Sequence, residues 1–204
     1  MTLLAQTDVL ETERLCLRRM DQSDLEYFIA IHQDPDVARY IGGGNPRPPP
    51  ETEKWFQDVQ DSYANADLGP LTVVRKADGV RVGRCGLSDA AVERAAPPGA
   101  LRRAWLFRAL APADAEIEPL PELGYTFGKA HWGQGYATEA ARAVIEYAKL
   151  RQFTQIMSVI HADNHGSRGV AAKFGVRFVD LVDMFGRPFE RYHWPMALPE
   201  PSVA

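Results

Sequence analysis

Between Trp132 and Ala140 the chain reads Trp-Gly-Gln-Gly-Tyr-Ala-Thr-Glu-Ala, a glycine-rich turn that opens a helix. The chemistry of such a turn is anion binding, because the first amides of a helix have no partners within it and the aligned peptide dipoles add partial positive charge there. A pyrophosphate fits. Gly133 and Gly135 are needed because a side chain at either place would block close approach of phosphate to the backbone, and Thr138 offers a hydroxyl donor in the first helical turn. Neither competing phosphate signature is present: GxxxxGK[ST] does not occur, and GxGxxG is broken after Gly133-Gln-Gly135. Taken alone, a Gly-x-Gly before a helix also reads as a plain helix cap.

Other reactive side chains narrow the chemistry by what they do not form. Five histidines, His32, His131, His161, His165 and His193, invite a metal site or a nucleophilic triad. No pair has ligand spacing with supporting cysteines or carboxylates, so no metal is expected, and His165 reads as a solvated turn residue. Cys16 and Cys85 sit in strand-like apolar stretches without a CxxC pair, as buried free thiols of a reducing compartment do.

The elements that must position the turn follow from pattern. Leu15 to Met20 alternates as a strand, Asp21 and Asp24 supply caps for a helix through Ile31, and Asp34-Pro35 stops it. Ile41 to Pro50 (IGGGNPRPPP) is a loop, and Glu51 to Ala66 is helical, with Trp55, Phe56, Val59 and Tyr63 on one face. Strands Leu71 to Arg75 and Val80 to Leu87 meet at Asp78-Gly79, a hairpin signal. Residues 90–121 read as an insertion without assignable structure, a lid or a dimer contact. The strand Glu122 to Phe127 then enters the turn, a helix runs from Tyr136 to Leu150, and Ile156 to His161 is a strand. Ser167 to Phe174 is a short helix closed by Gly175, and the strands Val176 to Met184 and Phe189 to Met196 end the pattern. That order predicts an α+β (mixed α/β) fold, a mixed sheet with helices on its faces.

At 204 residues, 46% hydrophobic and 25% charged, the chain has the make-up of one ordinary globular domain, expected over residues 1–198 with a frayed tail at 199–204. A net charge of −4 argues against nucleic acid or an anionic membrane as partner. The opening MTLLAQTDVLETE lacks the features of a signal peptide, and no apolar run reaches membrane-spanning length, so a cytoplasmic location is expected.

Five segments together resemble the GNAT superfamily of N-acetyltransferases, and within it the RimJ/RimL branch. They are Leu10-Glu-Thr-Glu-Arg-Leu-Cys-Leu-Arg18 with Asp34-Pro-Asp-Val37, then Val82-Gly-Arg-Cys-Gly-Leu87, Glu122-Leu-Gly-Tyr125, Trp132 to Ala140, and Asn164 to Gly175. The superfamily writes its pyrophosphate turn Gln/Arg-x-x-Gly-x-Gly/Ala, matched here by Trp132, Gly133, Gln134, Gly135, Tyr136 and Ala137, with Trp in the first place as that branch uses. The resemblance implies a central, mostly antiparallel mixed sheet of six to seven strands with helices on both faces. It also implies that the parallel strands 122–127 and 156–161 splay apart at the cofactor site. There the pantetheine arm of acetyl-CoA would lie along Tyr125, Thr126 and Phe127, and the helix through Phe174 would flank the cofactor.

The activity implied is transfer of an acetyl group from acetyl-CoA to a primary amine, a protein N-terminus or a small molecule, in a monomer or homodimer. Glu122 matches the family's general base, although an acid at a strand start also reads as a solvated edge charge, and a bulge would turn it to the other face. Asn164 and Ser167 match the family's Asn-x-x-Ser; Ser167 also reads as a helix N-cap and Asn164 as a turn residue. The tyrosine that many relatives carry four residues after that serine is Ala171 here, which leaves Ser167, water or another group to protonate the leaving thiolate. That absence keeps open an acyl-CoA sensor without turnover, and a wider pocket beside Phe127 and Phe174 would suit a longer acyl group. Trp55 reads as core, or as a wall of the acceptor site.

Overall fold

The computed structural model describes residues 9–196, so the expected frayed tail and most of the opening segment lie outside the described residues. β1 (Leu10–Glu11) and β2 (Leu15–Arg18) form an opening hairpin. Asp21 then caps a 3₁₀ turn, Gln22–Asp24, in a reciprocal capping box, and the turn runs into α1 (Leu25–Gln33). Pro35 ends that helix as expected, yet it also begins α2 (Pro35–Ala38), because a proline at the first helical position gives up an N–H that has no partner anyway. The same rule starts α3 (Pro49–Ala66) two residues before Glu51.

β3 (Gly69–Arg75) and β4 (Arg81–Ser88) are the predicted hairpin. Residues 90–121, left unassigned by pattern, hold β5 (Ala91–Glu93), β6 (Arg102–Trp105) and β7 (Ile117–Pro119). β8 (Glu122–Phe127) leads through the glycine turn into α4 (Tyr136–Leu150), whose bounds are those expected. β9 (Met157–Ile160), α5 (His165–Ala172), β10 (Arg177–Met184) and β11 (Arg187–His193) complete the described chain.

The strands make one sheet of eleven in the order β1-β2-β3-β4-β8-β9-β11-β10-β6-β5-β7, more than the six to seven expected. The excess comes from β5–β7, which join as a unit when β6 pairs in parallel with β10 at Val182↔Arg102 and Asp183↔Arg103. Asp180 secures that seam by accepting from both Arg102 and Arg191. The other parallel contact is β8 with β9, and it consists of a single pair, Glu122↔Met157. Beyond that pair the two strands part.

Alternation along the strands sorts the side chains. Leu15, Leu17, Leu71, Val73, Cys85, Leu87, Leu123 and Phe127 pack under Ala140, Val144 and Ala148 of α4. The opposite face carries Arg18, Thr72, Arg84 and Thr126, which stand in register across β2, β3, β4 and β8. α1 and α3 cover it with Phe28, Trp55, Phe56 and Val59, joined by Phe107 from the inserted segment.

Candidate active site

The glycine turn has the geometry its sequence requires. Gly133 and Gly135 adopt left-handed backbone, φ +73° and +83°, which strains any other L residue. Gly135 is the N-cap of α4 and has no side chain to cap with, so the first amides of the helix point outward without a partner. A Cβ on Gly133 would meet nothing within 4 Å, which leaves open space above the turn. Cations gather round it: Lys173 Nζ reaches Thr138 Oγ1 at 3.3 Å, and Arg14 donates to the Gln134 carbonyl at 3.0 Å.

One acid stands close to the turn, Glu139, and the opening segment holds it. Its carboxylate accepts from Thr12 Oγ1 at 2.6 Å, from the Arg14 amide at 2.9 Å and from Arg14 Nε at 2.7 Å. Burial alone would raise its pKa, but these bonds win and hold it below the usual carboxylate range.

Not every residue of the turn offers its side chain. Tyr136 is buried in the core beneath Arg14, whose guanidinium lies 4.8 Å from the ring centre, so it can contribute only its amide. Gln134 turns its Nε2 back to the Ala130 carbonyl, and Ala137 is half-buried. Trp132 donates from Nε1 to the Phe127 carbonyl at 2.8 Å, which engages a backbone group expected to be free for pantetheine. Where β8 and β9 separate, Ser158 Oγ bonds the Leu123 carbonyl and accepts from Trp194 Nε1 at 2.9 Å. Phe174 stacks on Trp194 at 5.2 Å between ring centres, so the ground beneath the splay is filled.

At α5 the cap differs from the first expectation. Asn164 is the N-cap, its Oδ1 accepting from the Ser167 amide at 3.0 Å, whereas Ser167 lies inside the helix. Freed from capping, the Ser167 hydroxyl donates to Tyr125 Oη at 3.0 Å, and Tyr125 donates to the Ser167 carbonyl at 3.0 Å. Burial raises the Tyr125 pKa, so its phenol stays protonated.

Glu122 is not a solvated edge charge. It is 4% exposed, and β4 and β8 pair without a bulge from Ser88↔Glu122 to Gly83↔Phe127, so it faces α1 and α3 with Gly124 and Thr126. A Cβ on Gly124 would sit 2.7 Å from Glu122 Oε2, so an added methyl would push the carboxylate from where it lies across the glycine. Burial pushes the Glu122 pKa up to about 7 against the pull of Arg84 and of the Val159 amide, and Oε2 has no hydrogen-bond partner. A carboxyl poised there exchanges a proton near neutral pH.

Two neighbours share this face: Arg84, which pattern did not single out, and His32, weighed in the sequence only as a metal or triad histidine. Arg84 is 6% exposed, its Nε has no partner, and its guanidinium lies 5.2 Å from the Trp55 ring centre. His32, 2% exposed, bonds Thr52 through Nδ1 at 3.2 Å and leaves Nε2 without a partner. A lone arginine amid Val82-Gly-Arg-Cys-Gly-Leu87 was the one available signal. Trp55 thus serves the core and touches this polar group, while His165 is exposed as expected. Among the described residues no cluster of three or more His, Cys, Asp or Glu could hold a metal, and no helix is long and apolar enough to cross a membrane.

With that geometry in hand, comparison places the chain. Residues 14–177 match the family model of the acetyltransferase (GNAT) domain. An uncharacterised protein of Bacillus subtilis (strain 168), YkkB, is 28% identical over 185 residues, which span 90% of this chain and 93% of that one. A crystal structure of an acetyltransferase from Agrobacterium tumefaciens str. C58 superposes with a TM-score of 0.70 at 22% identity, covering 96% and 98% of the two chains. The RimL ribosomal L7/L12 alpha-N-protein acetyltransferase in complex with coenzyme A has the same fold, with a TM-score of 0.66 at 12% identity over 91% and 97%.

Proposed function

We propose, since this chain belongs to the GNAT acetyltransferase family, that it transfers an acetyl group from acetyl-CoA to a primary amine in a ternary complex. One observation carries this reading: the uncapped start of α4, with left-handed Gly133 and Gly135 and open space above it, lies just after the strand that parts from β9 beyond a single pair. A diphosphate fits the first, and an extended thioester arm would enter at the second.

Bound acetyl-CoA would supply the acyl carbon as a thioester, which bonds to the amine nitrogen as the carbon–sulfur bond breaks and the sulfur leaves as thiol. The amides of residues 133–138 bind the diphosphate, and the turn's fixed φ values set their direction without reorganisation. Glu122 receives the surplus proton of the attacking amine at Oε2, directly or through one water. Ser167, its hydroxyl bonded to that of Tyr125, passes a proton to the sulfur and regains one from water as Glu122 gives its own up to water, taking the part of the tyrosine absent at Ala171.

The test is thiol release from acetyl-CoA across an amine panel, with Gly135→Asp as control. That substitution forces a left-handed Asp and sets a carboxylate where phosphate belongs, so acetyl-CoA binding by calorimetry should be lost. Wild-type affinity in the variant removes the turn from the mechanism; binding without thiol release for any amine makes the protein a sensor.

A further inference from the structure

The face of the sheet under α1 and α3 holds a buried arginine whose hydrogen bonds are not all made. Arg84 is buried, yet no carboxylate answers its Nε, and the Trp55 ring beneath it offers a face but no hydrogen-bond acceptor. A second cation comes to the same place. The Arg47 amide bonds the His32 carbonyl at 2.9 Å, and its side chain is half-buried near Arg84 and His32. Arg47 raises the cost of the Arg84 charge, and His32 is driven down to about 2, by burial first and by both arginines after it, so it stays neutral. The acids that face the pair are Glu122, on the same face of the sheet, and Glu51, exposed on α3 beside Arg47.

A buried guanidinium with an open donor is costly unless an anion arrives to complete it. Arginine's planar fork matches carboxylate and phosphate oxygens two bonds at a time. We propose that the acceptor amine carries an oxyanion, a carboxylate or a phosphate-type group, and that Arg84 with Arg47 receives it while Glu122 faces the nitrogen. The inference rests on the acyl-transfer reading and deepens it by naming the acceptor class. His32 and Trp55 hold the Arg84 end in place, the imidazole packing edge-on against the indole at 4.9 Å between ring centres. The attractive group is therefore rigid, and its charge is placed before the acceptor arrives.

The experiment compares twins. With saturating acetyl-CoA, thiol release is measured for amino acids and dipeptides bearing free carboxylates, for aminoalkyl phosphonates, and for the neutral amide or alcohol counterpart of each. The anionic twin should show a kcat/KM higher by about tenfold or more, the scale of 1.4 kcal/mol. Whether carboxylates or phosphonates lead decides which oxyanion the site prefers. In Arg84→Met, which keeps length and packing, that advantage should collapse while melting temperature and acetyl-CoA affinity hold. Arg84→Lys should restore part of it, and carries the same comparison if the methionine variant does not fold. Equal efficiency for neutral and anionic twins, or a ratio untouched in both variants, overturns the inference and leaves acyl transfer standing. No thiol release with any amine overturns the acyl-transfer reading and this inference with it.

Discussion

Thr72 and Arg84 stand opposite each other on β3 and β4, yet they belong to polar clusters of different kinds. On the Thr72 side Asp24 is wholly buried, and every one of its bonds is made. It accepts from Arg18 at 2.7 and 2.8 Å, from Arg81 Nε at 2.5 Å, from Thr72 Oγ1 at 2.8 Å and from the Asp21 amide at 3.0 Å. On the Arg84 side three buried side chains, Glu122, Arg84 and His32, each leave an atom unpaired. Their pKa shifts separate in the same way. Burial pushes Asp24 up, but its bonded cations and hydroxyl prevail and hold it at about 2; burial pushes Glu122 up and nothing prevails against it. Completed polarity fastens structure, and polarity left incomplete waits for a ligand.

The contrast breaks most visibly at Glu122. Replacement by Gln should lower kcat/KM by about 10²–10⁴-fold above pH 7, the range for a lost general base, with the acetyl-CoA Michaelis constant little changed. Stability should move the other way. The folded carboxyl titrates near 7 against 4.5 for the free group, so its contribution is whole below about pH 4.5 and fades as pH rises through 7. Above pH 7 the Gln variant should therefore resist urea better than wild type, by up to about 3 kcal/mol. A variant less stable at pH 8 would make Glu122 part of the scaffold.

Asp24→Ala should cost about 3 kcal/mol of stability, as breaking a buried ion pair does. Here the pH sign reverses. A folded pKa of about 2 against 3.8 gives stability that is present above pH 4 and drains away as pH falls toward 2, about 2 kcal/mol in all. An acid limb of equal depth in wild type and Asp24→Ala, read from urea midpoints between pH 2 and 5, would place the titration elsewhere. Thr72→Val removes one hydrogen bond to Asp24 and should cost about 1 kcal/mol with no change in thiol release. A fall in rate there would mean that the two clusters act as one.

Local features were legible in the sequence, and register-dependent ones were not. α4 was readable to the residue because a glycine cap and an apolar stripe both lie within its own segment. The inserted strands were not, since each has only three or four residues, and β6 finds a partner far along the chain, Arg102 beside Val182. The same division runs through the site. The anion turn is contiguous, so its glycines announce it, whereas the meeting of Arg84 with Glu122 depends on how β4 and β8 slide against each other, which composition does not encode. Asn164 and Ser167 were both legible, but the cap is Asn164 and not Ser167, because both residue types cap helices and only geometry decides which one does.

Thr12 and Arg14 grip Glu139 across a separation of more than a hundred residues, and through it they steady the start of α4. A ribosome releasing this chain must therefore deliver everything through Glu139 before the first segment can close on its mate. Until that happens the glycine bend lacks the Arg14 guanidinium that lies over Tyr136 and bonds the Gln134 carbonyl. Once closed, any ligand held only by the finished fold would work as a latch on it. A clone trimmed to begin at Leu15 loses that clasp while keeping every residue of the turn.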